Sequence, residues 1–507
     1  MNEKTAIVVG AGSAGSVVAR RLLDAGVSVT LLEAGGEDAN PAIHDPSRMG
    51  ELWHSPDDWD YYTVPQAGAA GRRLHLPRGK VLGGSHALNA MIWVRGNRSD
   101  FDHWASLGND GWTWDDVLPA YRAIENWSGG ASNLRGAGGP MPVTDDYELS
   151  PIQQAMIDAA VQEGLERNPD CNGDHLDGVS QQQVTMIDGR RANTWTTYLK
   201  PVRDQLDIRT GRHVHSVVVE DGRAVGVRYR ADGEDRELRA DEVILAAGAL
   251  DSPAILLRSG IGPQAELAAL GIDVVQDSPG VNRNLHDHLL APVIGTATTR
   301  EIAPPRQGVP VTQSHLFWRS KPDLEAPDTQ PIMFSVPMFG DLEPVIDAGF
   351  TFLAGMVTPK SRGALTFTGP DLDDPVEIDL QALAEPDDIA SLIASVRQCR
   401  SILRRPALAD EWGATEVYPG PDVSDADLED YVRNTVVTYH HQVGTCRMGV
   451  DEQSVVDPRL RVHGIERLRV VDASIMPRIT TGNTNAPSVL IGEMGSRFAL
   501  QDLGLAE

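Results

Sequence analysis

The chain has 507 residues, more than one typical hydrophobic core accommodates, so we expect two closely connected domains. Its 44 Lys and Arg residues against 72 Asp and Glu residues give a formal net charge of −28 at pH 7, which argues against nucleic acid or an anionic membrane as a partner. Three widely spaced cysteines without a CxxC motif exclude a disulfide scaffold and indicate a reducing compartment.

The sequence shows no targeting or membrane-spanning pattern. Only a few residues precede the first apolar run, and they lack the basic and then apolar segments of a secretory leader. No apolar run approaches the ~18 residues that a membrane helix needs. We therefore predict a cytoplasmic protein without membrane insertion, and the oligomeric state stays open.

Residues 5–36 read as a strand, a helix and a second strand around the pattern G-x-G-x-x-G. Gly10 permits a tight turn, Gly12 lets the backbone approach a pyrophosphate, and Gly15 lets the helix pack closely on the sheet. The second strand ends at Glu33, whose carboxylate is placed to accept hydrogen bonds from an adenosine ribose. The context predicts dinucleotide binding and leaves NAD and FAD both open.

The rest of the chain alternates between loops and short elements. The segment 35–78 is loop-rich and aromatic, and it either lines a site or packs as an aromatic cluster. Periodicity predicts helices within 102–125, 149–164, 191–201 and 386–403, paired strands within 208–239, and a buried strand at 242–249 that rejoins the N-terminal sheet. Alternating stretches between residues 290 and 430 predict an antiparallel sheet, which we assign to substrate binding.

Six motifs in order along nearly the whole chain resemble those of the glucose-methanol-choline (GMC) oxidoreductases, a family of FAD enzymes that includes choline dehydrogenases and alcohol oxidases. The motifs are GKVLGGSHALNAMIWVRG at 79–96, GALDSPAILLRSGIG at 248–262, PGVNRNLHDH at 279–288, HQVGTCRMG at 441–449, VVDPRLRV at 455–462 and LRVVDASIMPRITTGNTNAP at 468–487. The resemblance resolves the choice of dinucleotide in favour of FAD.

The resemblance implies a mixed α/β (α+β) fold with two domains. One is a Rossmann-like FAD-binding domain, and the other is a substrate-binding domain built on an antiparallel sheet covered by helices. Together with the strand that rejoins the N-terminal sheet, it predicts a discontinuous FAD-binding domain at residues 1–150, 205–290 and 436–507. Residues 151–204 and 291–435 then form the substrate-binding domain.

The family's catalytic pair maps onto His441, in the H-x-x-G-T motif, and Asn483, in the G-N-T-N segment. The resemblance implies oxidation of an alcohol, expected to be primary, to the aldehyde or ketone by hydride transfer to flavin N5. A histidine is a suitable general base for the O–H proton, and an asparagine amide can hold the substrate oxygen. Asn485 is the alternative to Asn483. His440 is predicted to point away from the flavin, because neighbours in a strand face opposite sides.

The same resemblance assigns the contacts of FAD. They are Gly10, Gly12, Ala14, Gly15, Glu33, Ala34 and Val214 for the ADP half, Gly83, Asn89, Met91 and Val94 for the flavin half, and Asp472, Ala473, Asn483, Thr484 and Asn485 beside the ribityl chain and ring. Some relatives attach FAD covalently through a histidine directly before the residue that corresponds to Asn89. Leu88 stands at that position here, which predicts non-covalent FAD.

Four other histidines stand in or near these motifs. His86 replaces a usual Ser or Thr and is predicted to be a hydrogen-bonded structural residue. His286, His288 and His463 lack a neighbouring cluster of carboxylates or cysteines, so we predict no metal site.

The electron acceptor and the substrate are left open by the motifs. We expect reoxidation by O₂, which would make the protein an oxidase, and the alternative is an alcohol or choline-type dehydrogenase that uses a quinone or another acceptor. A redox-silent enzyme of the hydroxynitrile lyase type is the less favoured reading. The substrate is a small-molecule alcohol, for which benzylic, furanic and sugar-like compounds are candidates; choline would call for an aromatic cage with a carboxylate, and the sequence identifies none.

Overall fold

Two large β-sheets organise the chain in this computed structural model, which describes residues 4–340 and 342–506. The first sheet has five parallel strands. Their spatial order is Asp207–Arg209, Ser28–Leu32, Thr5–Val9, Glu242–Leu245 and Leu468–Val470. These strands come from distant parts of the chain, so no continuous segment forms this sheet alone.

The central strand Thr5–Val9 is apolar because both of its edges and both of its faces are covered. Its residue Val8 pairs with Leu31 on one side and with Ile244 on the other. The helix Ser13–Asp24 follows directly and packs against the C-terminal helix Asn485–Asp502. A helix between two adjacent parallel strands is the Rossmann-type unit, and this part of the predicted fold is confirmed.

The second sheet is antiparallel. Its strands lie in the order Ala414–Tyr418, Leu289–Ala297, Phe350–Met356, Ile332–Phe334, Thr312–Phe317 and Gly178–Gln181, with Val437–Thr438 also paired to Leu289–Ala297. The helices Pro386–Leu403 and Pro151–Gln162 pack on this sheet. The prediction of an antiparallel sheet covered by helices is confirmed.

Smaller elements complete the fold. A separate antiparallel sheet consists of His213–Glu220, Arg223–Ala231 and Glu234–Arg239. Two-stranded ribbons pair Tyr61–Tyr62 with His75–Leu76, Glu125–Trp127 with Met141–Val143, Met186–Ile187 with Arg190–Arg191, Ile261–Gly262 with Gln276–Asp277 and Ala364–Phe367 with Val376–Asp379. The other α-helices are Pro41–His44, Arg98–Ser106, Trp114–Ile124, Gly248–Arg258, Gln264–Ala269, Pro406–Ala409 and Leu428–Thr435.

Residues 437–448 connect the two large sheets, and we call them the crossing segment. At its start, Val437–Thr438 pairs with Leu289 and Leu290 of the second sheet. At its end, the N–H groups of Cys446 and Met448 donate to the carbonyls of Ser474 and Ile475, directly after the last strand of the first sheet. The crossing segment therefore belongs to both halves of the molecule.

Most predicted helices are present, and Pro386–Leu403 has the predicted bounds. The short helix predicted within 191–201 is present as a π-helical turn at Trp195–Leu199, and a 3₁₀ helix that was not predicted follows at Lys200–Gln205. Pro201 lies in the first turn of that second helix, where its missing N–H costs no hydrogen bond. In the two described stretches of the chain, no helix is long and apolar enough to cross a membrane.

The buried apolar residues form one large cluster around each sheet. Ala69, Leu74 and Leu76 pack in the cluster of the second sheet, although they fall within the range 1–150 that is assigned to the FAD-binding domain. The boundaries of the two domains stay a prediction.

Candidate active site

Two connected cavities run from the first sheet to the second. The smaller has a volume of about 160 Å³ and lies at the carboxyl ends of the parallel strands, and the larger has a volume of about 430 Å³ and opens toward the second sheet. Ser13, Ser85, Gln442 and Ala473 line both cavities. These shared walls make the two cavities neighbours, with Glu33 in the wall of the smaller and His441 in the wall of the larger.

Main-chain atoms and small residues form much of the smaller cavity's wall. A Cβ atom on Gly15 would lie 2.0 Å from the carbonyl oxygen of Gly10, so the helix can approach the strand only because residue 15 is glycine. The Glu33 carboxylate accepts the N–H groups of Ala11, at 2.8 Å, and Gly35, at 2.7 Å. Burial raises the pKa of Glu33 to about 6, against the effect of these hydrogen bonds.

Two helix N-termini meet where the cavities join. The helices Ser13–Asp24 and Asn485–Asp502 both begin without a side-chain cap, which leaves first-turn N–H groups available. The Asn485 side chain donates to Ser13 Oγ at 2.9 Å and so ties the two helix starts together. Unpaired N–H groups at the positive end of a helix bind phosphate, so this junction fits the pyrophosphate of a dinucleotide.

The larger cavity has a mostly apolar wall drawn from several segments. Its apolar lining includes Met49, Leu88, Ile92, Leu290, Ile332, Phe334, Met338, Phe339, Leu353 and Val437. The exposed side chain of His54 lies at its mouth, and His441 and Asn483 lie in its wall. An apolar cavity with a few polar groups is the usual form of a small-molecule site.

His441 and Asn483 are brought together as the predicted pair. The distance between Asn483 Nδ2 and His441 Nε2 is 3.3 Å, and the Gln330 side chain donates to Asn483 Oδ1 at 2.9 Å. On its other side, His441 Nδ1 lies 3.0 Å from Nδ1 of His288. The ring of Tyr439 stacks on His441 with 4.6 Å between centroids and fixes the plane of the imidazole.

Burial dominates the electrostatics around His441. It lowers the pKa of His441 well below the usual 6.5, and the neighbouring rings of His288 and His440 and the guanidinium of Arg78 add to this effect. Asp287 accepts the backbone N–H of His441 at 2.7 Å and a hydrogen bond from the Gln442 side chain. Burial raises the pKa of Asp287 to about 7. His441 is therefore neutral at pH 7, the state in which it can accept a proton.

The prediction that His440 points away from the flavin assumed a strand at this position, which the structure does not have. The strand ends at Thr438, and His440 has a left-handed backbone with φ of 65°. Both His440 and His441 consequently line the larger cavity. Their contacts differ, however, because the His440 ring bonds to Thr438 Oγ1 at 2.8 Å and packs against Trp53, away from Asn483.

The structure places most of the predicted cofactor residues in the cavity walls. Gly10, Gly12, Ala14, Glu33, Ala34, Val214, Asp472 and Ala473 line the smaller cavity, and Asn89, Ala473, Asn483, Thr484 and Asn485 line the larger. Gly15, Gly83, Met91 and Val94 are buried behind these walls in the described part of the chain.

Asp472 and His86 are both buried and hydrogen-bonded within the protein. Asp472 accepts the N–H of Gly248 at 2.9 Å and the hydroxyl of Ser252 at 2.5 Å. His86 bonds through Nε2 to Thr185 Oγ1 at 3.1 Å, and burial lowers its pKa to about 3. The contact of His86 agrees with the structural role that we predict for it.

One group of side chains at the cavity mouth has the composition of a metal site. His54, Asp60 and His75 bring one possible ligand atom each within 4.8 Å of the others. The 2.7 Å hydrogen bond between His54 Nδ1 and Asp60 Oδ1 and the 3.0 Å ion pair between His75 and Asp60 account for this cluster without an ion.

Sequence reasoning missed the two residues that flank the catalytic pair. His288 stands in the PGVNRNLHDH motif, and the only signal for it was its place two residues after another histidine in a motif loop. Gln330 lies outside all six motifs, two residues before the strand Ile332–Phe334, and nothing in the sequence marked it as a site residue.

Comparison with known proteins gives concordant results. Models of the N-terminal and C-terminal parts of the GMC oxidoreductases match residues 4–290 and 359–492. An alcohol dehydrogenase [acceptor] from Pseudomonas putida is 36% identical over 533 residues, which cover 99% of this chain and 96% of the relative. An oxygen-dependent choline dehydrogenase from Brucella ovis is 36% identical over 528 residues, with the same coverage of both chains.

Solved structures agree with these relatives. Pyridoxine 4-oxidase from Mesorbium loti superposes with a TM-score of 0.92 at 35% identity and covers 98% of this chain and 99% of its own. A formate oxidase variant from Aspergillus oryzae superposes with a TM-score of 0.91 at 26% identity over all of both chains.

Proposed function

The chain belongs to the GMC oxidoreductase family and is an FAD-dependent alcohol oxidoreductase. On this premise we propose that it oxidises a primary alcohol, with His441 as the general base and Asn483 as the group that binds the alcohol oxygen. The observation that carries the proposal is the 3.3 Å approach of Asn483 Nδ2 to His441 Nε2 in the wall of the larger cavity. Both atoms can reach one substrate oxygen placed between them.

The two side chains have different roles at that oxygen, one as a proton acceptor and the other as a hydrogen-bond donor. The alcohol O–H donates its proton to His441 Nε2, which is neutral because burial lowers the pKa of this histidine. A general base of this kind contributes roughly 10²–10⁴-fold to the rate. The Asn483 amide donates a hydrogen bond to the same oxygen, and Gln330 holds the amide in that orientation through its bond to Asn483 Oδ1.

The cofactor fits the joined cavities. Glu33 and Val214 at the far end would hold the adenosine part, and the two uncapped helix starts at Ser13 and Asn485 would hold the pyrophosphate. The flavin part would lie along Asn89, Ala473 and Thr484, facing His441. When bound, FAD supplies the acceptor for the hydride that leaves the carbinol carbon.

We propose O₂ as the final electron acceptor. Two relatives support this choice by name, the pyridoxine 4-oxidase and the oxygen-dependent choline dehydrogenase. The alcohol dehydrogenase [acceptor] supports the alternative, in which a quinone or another compound takes the electrons.

The experiment is anaerobic mixing of the flavin-loaded protein with benzyl alcohol, pyridoxine, 1-octanol and choline, followed by flavin absorbance. We expect at least one primary alcohol to bleach the flavin, and air then to restore the absorbance with formation of H₂O₂. Restoration by a quinone but not by air would overturn the choice of O₂. Cleavage of mandelonitrile with no bleaching by any alcohol would favour a lyase instead.

Single substitutions test the two catalytic assignments. The variants His441→Ala and Asn483→Ala should retain FAD and lose at least about 100-fold in the rate of flavin reduction. His175→Ala is the control, because His175 is exposed and lines neither cavity, and its flavin should be reduced at the normal rate. Normal reduction by either of the first two variants would remove that residue from the proposal.

A further inference from the structure

A second buried histidine lies directly behind His441. His288 is fully buried, its ring stands edge-on to His441 with 5.2 Å between centroids, and the two Nδ1 atoms are 3.0 Å apart. Two imidazole nitrogens at this distance share one proton, so one ring donates and the other accepts. The direction of this bond decides which nitrogen of His441 is free to act as a base.

His288 has few polar neighbours besides His441 in the described structure. Its Nε2 atom is buried without a hydrogen-bond partner in the described structure, and a backbone group of Val357 raises the pKa of the ring against the effect of burial. A backbone group with that effect is an acceptor, hence the carbonyl. A proton on Nε2 of neutral His288 would leave Nδ1 with a lone pair directed at His441.

On the other side of His441, a hydrogen-bond donor faces Nε2. The Asn483 amide nitrogen faces His441 Nε2, since the oxygen of the same amide accepts from Gln330. A donor at Nε2 requires a lone pair there, and the remaining proton of His441 must then lie on Nδ1. Donors and acceptors thus alternate from Gln330 through Asn483 and His441 to His288.

We infer that His288 is a positioning residue that accepts the Nδ1–H of His441, and so keeps the lone pair of His441 Nε2 directed at the substrate oxygen. The inference rests on the proposed function, in which His441 Nε2 receives the alcohol proton. After that transfer the imidazolium of His441 still donates through Nδ1 to His288, so the charge has an acceptor on both sides of the ring. No bond other than the alcohol O–H breaks in this step.

His288 suits this role because it stays uncharged. Burial lowers its pKa to about 3, so it remains an acceptor at any pH at which the enzyme would work. A protonated His288 would lose its lone pair at Nδ1 and repel the imidazolium. Arg78 and His440 also face His441, and Asp287 holds its backbone N–H, but none of these groups contacts Nδ1 in the described structure.

A direct test reads the tautomer of His441 without any turnover. Long-range proton–nitrogen spectra of the flavin-loaded protein, labelled with nitrogen-15 histidine, distinguish Nδ1–H from Nε2–H rings. The signals of His441 are those absent from the His441→Gln spectrum. We expect a single Nδ1–H tautomer in the wild type and a mixture in His288→Leu. A wild-type His441 that carries its proton on Nε2 would overturn the inference.

A kinetic arm uses two substitutions of similar shape. His288→Asn keeps an acceptor oxygen near the position of Nδ1, and His288→Leu removes it. We expect His288→Leu to slow flavin reduction about 100-fold, by analogy with other orienting partners of catalytic histidines, and His288→Asn to recover at least tenfold of that loss. Equal rates in the two variants would contradict the inference, because shape alone would then explain the effect.

The outcomes separate this inference from the proposed function. If His441→Ala reduces the flavin normally, the proposed function fails. If His441→Ala is inactive while His288→Leu is as fast as the wild type and shows the same tautomer, only the role of His288 fails. If His288→Leu does not retain FAD, the tautomer of the wild-type protein alone decides.

Discussion

The two cavities differ in what their walls are made of. Around the smaller cavity, backbone atoms and small residues, among them Gly10, Gly12 and Ala246–Gly248, form much of the wall, and its shape is set there by the course of the main chain. Around the larger cavity, long side chains from the second sheet, from the crossing segment and from residues 49–92 form much of the wall. The first kind of site depends on the absence of side chains, and the second depends on their identity.

This difference predicts opposite responses to substitution. In the smaller cavity, added atoms should be worse than removed ones, because a Cβ meets fixed backbone. In the larger cavity, removed or altered groups should matter most, because they supply the chemistry and the shape. Four substitutions test this difference, two at or behind the wall of each cavity.

The largest effect is expected at Gly15. A Cβ there would lie 2.0 Å from the carbonyl oxygen of Gly10, which cannot move without shifting the central strand. We expect Gly15→Ala to cost about 3 kcal/mol of stability and to lower the FAD content of the purified protein. Gly36→Ala, which meets no atom within 4 Å, is the control. Equal melting temperatures for the two variants would contradict the backbone argument.

The next effect concerns the pH dependence of stability at Glu33. Burial raises its pKa from 4.5 to about 6, so the folded protein holds this proton more tightly than the unfolded chain. The resulting stability is full below 4.5 and is lost as the pH rises through 6, a loss of about 2 kcal/mol. Glu33→Gln does not titrate.

Thermal unfolding of the flavin-free protein measures this effect. The melting temperature of the wild type should fall relative to that of Glu33→Gln as the pH rises from 4.5 to above 6. Glu37→Gln, which removes an exposed carboxylate four residues away, is the control variant. A difference between the wild type and Glu33→Gln that does not change with pH would contradict the raised pKa of Glu33.

Behind the wall of the larger cavity, Asp287 accepts the backbone N–H of His441 and should set a pH dependence of the rate. Its raised pKa of about 7 means that the carboxylate forms as the pH rises through neutrality, and its negative charge then favours the imidazolium at His441. We expect flavin reduction to speed up through pH 7, and Asp287→Asn to remove that step and run about tenfold slower at high pH. The buried Asp388, at the start of the helix Pro386–Leu403, supplies the control variant Asp388→Asn. A step that persists in Asp287→Asn belongs to another group.

The smallest effect is expected at the apolar wall. Phe334 is buried and lines the larger cavity, so Phe334→Leu should remove contact area with the substrate. We expect kcat/KM for the fastest alcohol of the panel to fall about fivefold, or about 1 kcal/mol, with FAD content unchanged. Phe367→Leu alters a phenylalanine of the core instead and should leave kcat/KM unchanged. A loss of FAD in Phe334→Leu would contradict the assignment of FAD binding and substrate binding to different walls.

The sequence predicted the smaller cavity better than the larger one. A strand, a glycine pattern, a helix and an acid lie within about thirty residues, so local geometry determines their contacts, as the position of Gly15 against Gly10 illustrates. His441 and Asn483 were predictable only by resemblance, because nothing in their spacing of 42 residues says that they approach each other.

The misses arise where contacts are long-range or the backbone is unusual. Gln330 reaches Asn483 across 153 positions, and His288 reaches His441 across the same separation, so no sequence window contains either pair. His440 was assigned to a strand, but its left-handed φ of 65° turns the next residue and brings both histidines to one cavity. Non-glycine residues with positive φ have no reliable signal in a single sequence.

The crossing segment has a consequence for recombining the two halves of the molecule. It starts as an edge partner of the second sheet, carries His441 and ends bonded beside the first sheet. In a chimaera that takes its second sheet from one relative and its first sheet from another, the boundary between the two parents would fall among the residues that hydrogen-bond to His441. Chimaeras in which residues 284–290, 437–448 and 472–485 come from a single parent would preserve the geometry of His441. Chimaeras in which these segments come from different parents should fold and bind FAD but reduce it slowly.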